Sequence, residues 1–418
     1  MAASENIITR EMDRHNGKIF FLSYLMIYLS APAVYVGVVQ AALCDHLGAS
    51  AAVANLPAST YLLGQLAPLF FSWLVPHRYD KAAVVWASRL WAALVFLVLL
   101  TLVTPQPAWV RITALTGQGL LQGVAASVAQ VFALQCLGRG TTDAGRAWAF
   151  KWTFSVGPIG AVTGSLAAQY ILKPGFSWAP FPLNFALIYG LAAPCIAAMV
   201  WLNNRWRLPP LADEPRAPLG SFLVTGFRNY FLSKPLLLLF VAYAVFQCAQ
   251  AVTPTLALHA REAMNQEPEG VSGAALVMRF GCKALGGYLL GALAARFDLR
   301  VSVAACLAAT AFGILWATGA SNYWYLLAFG LMGVGELGGI YFPALGLALS
   351  STSKAARNLS ILSLAVPAAS FAPVLLGALK DRWGFLAGAG CALGLAVLGI
   401  TLVAAIRQSV AARSSEPV

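Results

Sequence analysis

The sequence predicts an all-α polytopic membrane protein of twelve transmembrane helices, arranged as two pseudo-symmetric six-helix bundles. Three observations support this: a composition too apolar for a soluble domain, twelve long apolar stretches, and local signals that recur between the two halves. Of 418 residues, 60% are hydrophobic and 10% charged, with a mean hydropathy of +0.74. An average soluble domain carries about 25% charge. A helix crossing the hydrocarbon layer needs about 20 apolar residues. Such stretches lie near 18–44, 50–75, 82–103, 109–137, 147–172, 182–203, 235–260, 271–295, 301–319, 323–350, 358–380 and 385–407. The longest polar interval separates the sixth from the seventh. The chain therefore divides into an N-terminal segment (1–17), a first bundle (18–203), a linker (204–234), a second bundle (235–407) and a tail (408–418).

Lys and Arg set the expected orientation, since short cytoplasmic loops carry the excess of positive charge. With the N-terminus inside, eighteen of them, from Arg10 and Arg14 through Arg407 and Arg413, fall on the cytoplasmic side. Five fall outside: Arg111, Lys173, Arg261, Lys380 and Arg382. Both termini are expected in the cytoplasm, with the protein integral to the inner (plasma) membrane. The net charge of +12 is then accounted for by topology and by contact with anionic lipids, and no nucleic-acid partner is implied. The opening stretch "MAASENIITREMDRHNG" mixes charges and has no apolar core, so no cleavable signal is expected.

Several function classes are excluded. Seven scattered cysteines without CxxC spacing read as packing residues, and four histidines (15, 46, 77 and 259) show no metal-ligand spacing. No phosphate-binding Walker loop is present, which argues against an ATP-driven pump or a membrane enzyme. No cofactor or metal is expected.

The halves repeat one plan. "RYDK" (Arg78, Asp80, Lys81) follows the second span and "RFDLR" (Arg296, Asp298, Arg300) the eighth, while Gly119 and Gly123 of the fourth span match Gly335 and Gly339 of the tenth. Arg146 opens the fifth span as Arg357 opens the eleventh. Two parallel six-helix repeats joined by a cytoplasmic loop resemble the major facilitator superfamily. "GGYLLGALAARFDLR" resembles the family's loop signature at Gly291, Arg296 and Arg300, departing at Ala295 and Asp298. "SWLVPHRYDK" keeps Arg78, Asp80 and Lys81 of that signature. Gln118–Gly119 resembles the fourth-span motif with Leu115 in place of its arginine, and "VGPIGAVTG" resembles the fifth-span motif at Gly157, Pro158 and Gly160. The resemblance implies alternating access by a monomer, with Arg78, Asp80, Arg296 and Asp298 as a cytoplasmic gate. The competing reading makes the same charges plain cytoplasmic anchors. Glycines four apart, among them Gly160/Gly164, Gly287/Gly291 and Gly390/Gly394, are expected to pack helices closely. Prolines 32, 158, 254, 343, 367 and 373 are expected to bend cavity-lining spans.

One stretch breaks the apolar pattern. "VMRFGCKALGG" (277–287) places Arg279 and Lys283 four apart in the eighth span. At about 1.5 Å per residue they lie roughly 12 and 18 Å from the outer end, bracketing the middle of a core about 30 Å thick. Each costs at least about 2.5–3.5 kcal/mol there on insertion scales. Glu336, at similar depth in the tenth span, is the obvious partner, and two cations against one carboxylate leave about one positive charge. A bound anion would balance it, with Glu336 as the proton-coupling group. The competing reading is a structural ion pair beside a water-filled cavity. Basic residues in the eighth span also resemble those of facilitators carrying organic anions.

Polar residues at helical spacing suggest the remaining lining: Tyr28 and Tyr35, Gln118 and Gln122, and Gln247 and Gln250, with Asn55, Tyr61, Gln65 and Tyr341 as further candidates. For each, an interhelical hydrogen bond competes with substrate contact. Arg89 and Lys151 sit nearer the cytoplasmic ends, where snorkelling is expected. The expectation is therefore a secondary active transporter of a small organic solute, an anion such as a carboxylate, coupled to protons. The alternative is an exporter or facilitator of neutral or amphipathic compounds in which the buried charges are structural.

Overall fold

Inside a bilayer a chain must satisfy its own backbone, which for long Leu-, Ala- and Val-rich runs leaves the helix. The computed structural model describes residues 8–173, 178–210, 219–350 and 355–406, and among them there are helices and turns but no strands. Arg216, Lys354, Arg407, Arg413 and the tail over 408–418 lie outside the described residues.

Among the described residues, eight stretches are long and apolar enough to cross a membrane: Asp80–Val103, Ala108–Gly140, Leu183–Asn203, Lys234–Met264, Leu299–Gly319, Asn322–Ala348, Asn358–Trp383 and Phe385–Ala404. They correspond to expected spans three, four, six, seven and nine to twelve. Spans one, two, five and eight are helical as well, over Arg10–Leu29 and Val38–His46, Leu56–Gly64 and Ala67–Leu74, Asp143–Leu172, and Pro268–Arg296. Across the boundary between the halves, span five packs against span eight and span two against span eleven. Under the repeat, span eleven is the counterpart of five and span eight of two, so the two boundary pairs are copies of one contact.

Span one shows how the sequence breaks a helix and repairs it. Pro32 lacks the N–H that would continue the first helix, and a short helix over Ala31–Val34 follows the break at Ser30. Gly37 then adopts φ 145°, a conformation open to glycine and costly to other residues. The orphaned groups are satisfied by side chains: Gln40 accepts from Gly37 N at 3.1 Å and donates to Ala33 O at 2.9 Å. Pro254, Pro367 and Pro373 likewise sit in short helices or at helix starts, whereas Pro158 and Pro343 lie inside continuous helices and break nothing.

The linker was expected as a polar segment only. It contains a helix over Leu219–Leu232, which packs on the start of span seven through buried Tyr230 and the rings of Phe231 and Phe240. At the same face, Asn16 donates to Gly140 O (2.8 Å) and Arg207 O (2.7 Å), gathering the start of span one, the end of span four and the segment after span six. We call this the linker face. The opposite face holds a ring of exposed aromatics, Trp109, Trp178, Tyr323, Trp324 and Trp383, as expected where a bilayer meets water.

Candidate functional site

Spans eight and ten bring the three midspan charges together. Four-residue spacing puts Arg279 and Lys283 on one helix face. Glu336 ends the helix Leu326–Glu336, and Leu337 interrupts span ten before it resumes over Gly338–Ala348. Arg279 Nε donates to Glu336 Oε2 at 3.1 Å, and Lys283 Nζ lies 3.1 Å from Oε1. One carboxylate thus carries two cations, one on each oxygen. Gly333 makes the approach possible, because a Cβ there would run into the backbone of Arg279. The side chains of Arg279, Lys283 and Glu336 are only 10%, 18% and 20% exposed, so their attraction is weakly screened.

Aromatic rings complete the surroundings. The Arg279 guanidinium carbon lies 5.0 Å from the centroid of Tyr35 and the Lys283 nitrogen 6.0 Å from it. Phe280 meets Tyr35 and Tyr28 edge-on, at centroid distances of 5.2 and 6.4 Å.

The three charges line a cavity of about 1190 Å³ between the halves. Tyr28, Tyr35, Gln247, Gln250, Tyr61, Gln65 and Tyr341 line it too, as expected, and its wall continues through Phe20, Ala133, Phe150, Lys151 and Trp206 toward the linker face. Gln250 is partly engaged, donating to Thr310 Oγ1 at 2.9 Å, with its buried amide oxygen unpartnered.

Gln118 and Gln122 require a correction. Neither belongs to the cavity lining; both are buried and hold the broken first span. Gln118 donates to Ala33 O (3.3 Å) and to Gln122 Oε1 (3.0 Å), Gln122 donates to Val34 O, and Tyr189 donates to Gln118 at 2.9 Å. Carbonyls freed by the break must find donors, and these amides supply them. Asn55, a further lining candidate, likewise bonds Thr255 Oγ1 (2.8 Å) and Pro373 O (2.9 Å), stitching span two to spans seven and eleven.

At the face opposite the linker the halves are closed against each other. Asp381 accepts from Ala51 N and Ala52 N, each at 2.9 Å, at the start of the helix Ala51–Ala54. Arg261 pairs with Asp45 at 2.7 Å, and His46 Nδ1 lies 2.8 Å from Glu269. Gln169 bonds the start of span eight, accepting from Ala274 N at 2.7 Å. Gly377 approaches the backbone of Ala51 and Gly273 that of Gln169, each so closely that a side chain would not fit. None of these contacts was read from the sequence, although Arg261 was placed on the outer side. The only signal was charge at span ends, and each partner lies more than a hundred residues away.

The expected gate residues are engaged differently. Buried Asp80 pairs with Arg139 at 2.7 Å, and Arg139 also donates to Pro209 O. Arg78 stacks on Tyr79 at 4.7 Å, and with Lys81 and Arg89 lines a shallow groove. Asp298 caps the helix Leu299–Gly319 and pairs with Arg300 at 2.8 Å, while Arg296 lies over Phe297. Partial burial alone would raise the Asp298 carboxyl, but the Arg300 amide and guanidinium outweigh it and hold the group below its ordinary value. These ion pairs stay within their own half, in a molecule whose cavity reaches the linker face.

Two helical halves, a helical linker at one face and a largely apolar cavity between them that holds a buried charge cluster describe a polytopic membrane protein with the major facilitator fold. The likeness to solved structures extends over nearly the whole chain. A peptide transporter POT in complex with sulfate matches at TM-score 0.70 and 15% identity, over 93% of this chain and 94% of that one. A D-xylose-proton symporter matches at 0.69 and 13%, over 94% and 98%. A nucleoside transporter matches at 0.66 and 12%, over 94% and 98%. No family model matches the sequence, and no match is found among curated proteins.

Proposed function

We propose that the protein is a secondary active transporter that moves a small organic anion by alternating access, coupled to protons, with the linker face in the cytoplasm. The observation that carries this reading is the single Glu336 carboxylate held by both Arg279 and Lys283 in the wall of the central cavity. Two cations and one carboxylate leave one positive charge in a desolvated place, and an anion arriving there gains what water no longer supplies. Protonation of Glu336 releases both cations, so proton and anion each favour the binding of the other; such coupling is reciprocal. A proton and a monoanion entering together also leave the charge of the site unchanged.

The closed contacts opposite the linker and the cavity reaching the linker face support an inward-facing state. In the outward-facing state the Asp381, Arg261 and His46 contacts open, and the Arg78, Asp80, Arg296 and Asp298 clusters approach one another. The solved structures alike in fold include a symporter named for protons and a peptide transporter holding sulfate, which fits an anion-binding site in this architecture.

The test is flux of labelled monocarboxylates into proteoliposomes under an imposed proton gradient. Uptake is expected to rise when the outside is acidified and to fall at least about tenfold in Lys283→Gln, the loss of a buried charge contact worth over about 1.4 kcal/mol. Flux indifferent to both would overturn the proposal. It would favour a facilitator of neutral or amphipathic compounds, a reading that the aromatic wall of Phe20, Tyr24, Trp91, Phe150 and Phe154 supports.

A further inference from the structure

We infer that the cavity recognises organic monoanions and rejects zwitterions, so that a carboxylic acid binds and the amino acid built on the same skeleton does not. This rests on the anion reading above and adds a selectivity to it.

Arg279 is 8% exposed, and its Nε is committed to Glu336. Its two terminal nitrogens have no hydrogen-bond partner among the described residues, and the group lies in the cavity wall over Tyr35. A buried guanidinium with a free pair of parallel donors matches the two oxygens of a carboxylate.

The same geometry leaves an ammonium group nothing to bind. Glu336 is the only carboxylate among the described residues lining the cavity, and each of its oxygens already holds a cation. An α-ammonium sits within about 4 Å of its own carboxylate, so docking the acid on Arg279 would force the ammonium into the field of Arg279 and Lys283. It would be desolvated without a counter-charge, which is strongly unfavourable. Selection of this kind is steep, because it leaves a charged group unpaired and does not merely change an apolar fit.

A single negative charge is favoured by depth. The third cation in the lining, Lys151, lies eight residues into the helix Asp143–Leu172, about 12 Å from the linker end at 1.5 Å per residue. Lys283 lies thirteen residues from the linker end of Pro268–Arg296, about 20 Å. The two cations thus differ by about 8 Å in depth, so Lys151 stands apart from the Arg279 and Lys283 pair and attracts anions at the mouth. The rings of Tyr28 and Phe246 and the side chain of Ile340 provide an apolar wall for the body of the molecule.

The experiment measures thermal stabilisation of the full-length protein in nanodiscs, at about pH 6.5, where the probe carboxyls are ionised. Matched probes of three sizes are compared: propanoate with alanine, 4-methylpentanoate with leucine, and 3-phenylpropanoate with phenylalanine, plus phenylsuccinate as a dianion. At least one acid is expected to bind, its amino acid at least about tenfold more weakly, and Arg279→Lys, which keeps the charge but loses the paired donors, is expected to remove that acid's advantage. An amino acid binding as well as its acid, or phenylsuccinate binding more tightly than 3-phenylpropanoate, overturns the selectivity and leaves the anion reading standing. No stabilisation by any of the seven probes overturns both.

Discussion

Arg261, near the end of span seven, reaches Asp45, near the end of span one, at 2.7 Å, and so joins the two halves at the face opposite the linker. A half-exposed pair of this kind contributes about 0.2–1 kcal/mol. Asp381 adds about 1 kcal/mol by accepting two amides at a helix start. Removing both in Asp45→Asn/Asp381→Asn is expected to shift the balance toward the outward-facing state by about 1–2 kcal/mol, or roughly 5–30-fold. Distances between spin labels at that face would lengthen in the double variant; an unchanged distribution would show that the contacts do not hold the state.

Glu336→Gln removes the carboxylate while leaving both cations in place. Anion exchange across the membrane is expected to persist, and accumulation driven by a proton gradient to be lost. Anion affinity in the wild type should rise as pH falls, because protonated Glu336 no longer neutralises Arg279 and Lys283, whereas in the variant it should be flat. A variant retaining the pH dependence would move the proton site elsewhere.

Gln118→Leu is expected to act on stability and not on transport specificity. It leaves Tyr189 and Gln122 short of a partner and weakens support for the broken first span. Buried polar groups left unsatisfied cost about 1–3 kcal/mol. A lowered Tm with unchanged KM is the expected pair of readings; a raised KM at constant Tm would return Gln118 to the binding site.

Glycines separate by what lies above them. Gly377→Val places a side chain against Ala51 and is expected to prevent closure at the face opposite the linker, whereas Gly394→Val meets nothing and is expected to be silent. Cysteine accessibility from that face, raised in the first and unchanged in the second, is the measurement.

Much of the fold was legible in the sequence. Apolar runs, the polar linker and the matched signals at Arg78 and Arg296 fixed the order of helices and the duplication, because a bilayer leaves a long apolar run no alternative to helix. The cluster of Arg279, Lys283 and Glu336 was legible for a related reason: charges at the same depth in apolar helices must find each other, water or a ligand. Other residues misled. Gln118 and Gln122 have the spacing of a lining face, but the break at Pro32 and Gly37 created carbonyls that only these amides reach. The paired glycines were a mixed guide: Gly119, Gly123 and Gly164 do meet the backbone of a neighbouring helix, Gly390 and Gly394 have open space above them, and Gly273, Gly333 and Gly377, outside those pairs, make contacts as tight.

What the sequence determined by itself is set by one-dimensional terms: which segments enter the membrane, which loops are basic, and how deep each charge lies. The tertiary structure alone decided which charges meet and which face is closed. Those outcomes depend on contacts such as Asp381 with Ala51 and Asn55 with Thr255, between residues 330 and 200 positions apart. Such pairs have no local signature, since their energy exists only once both halves have folded and docked.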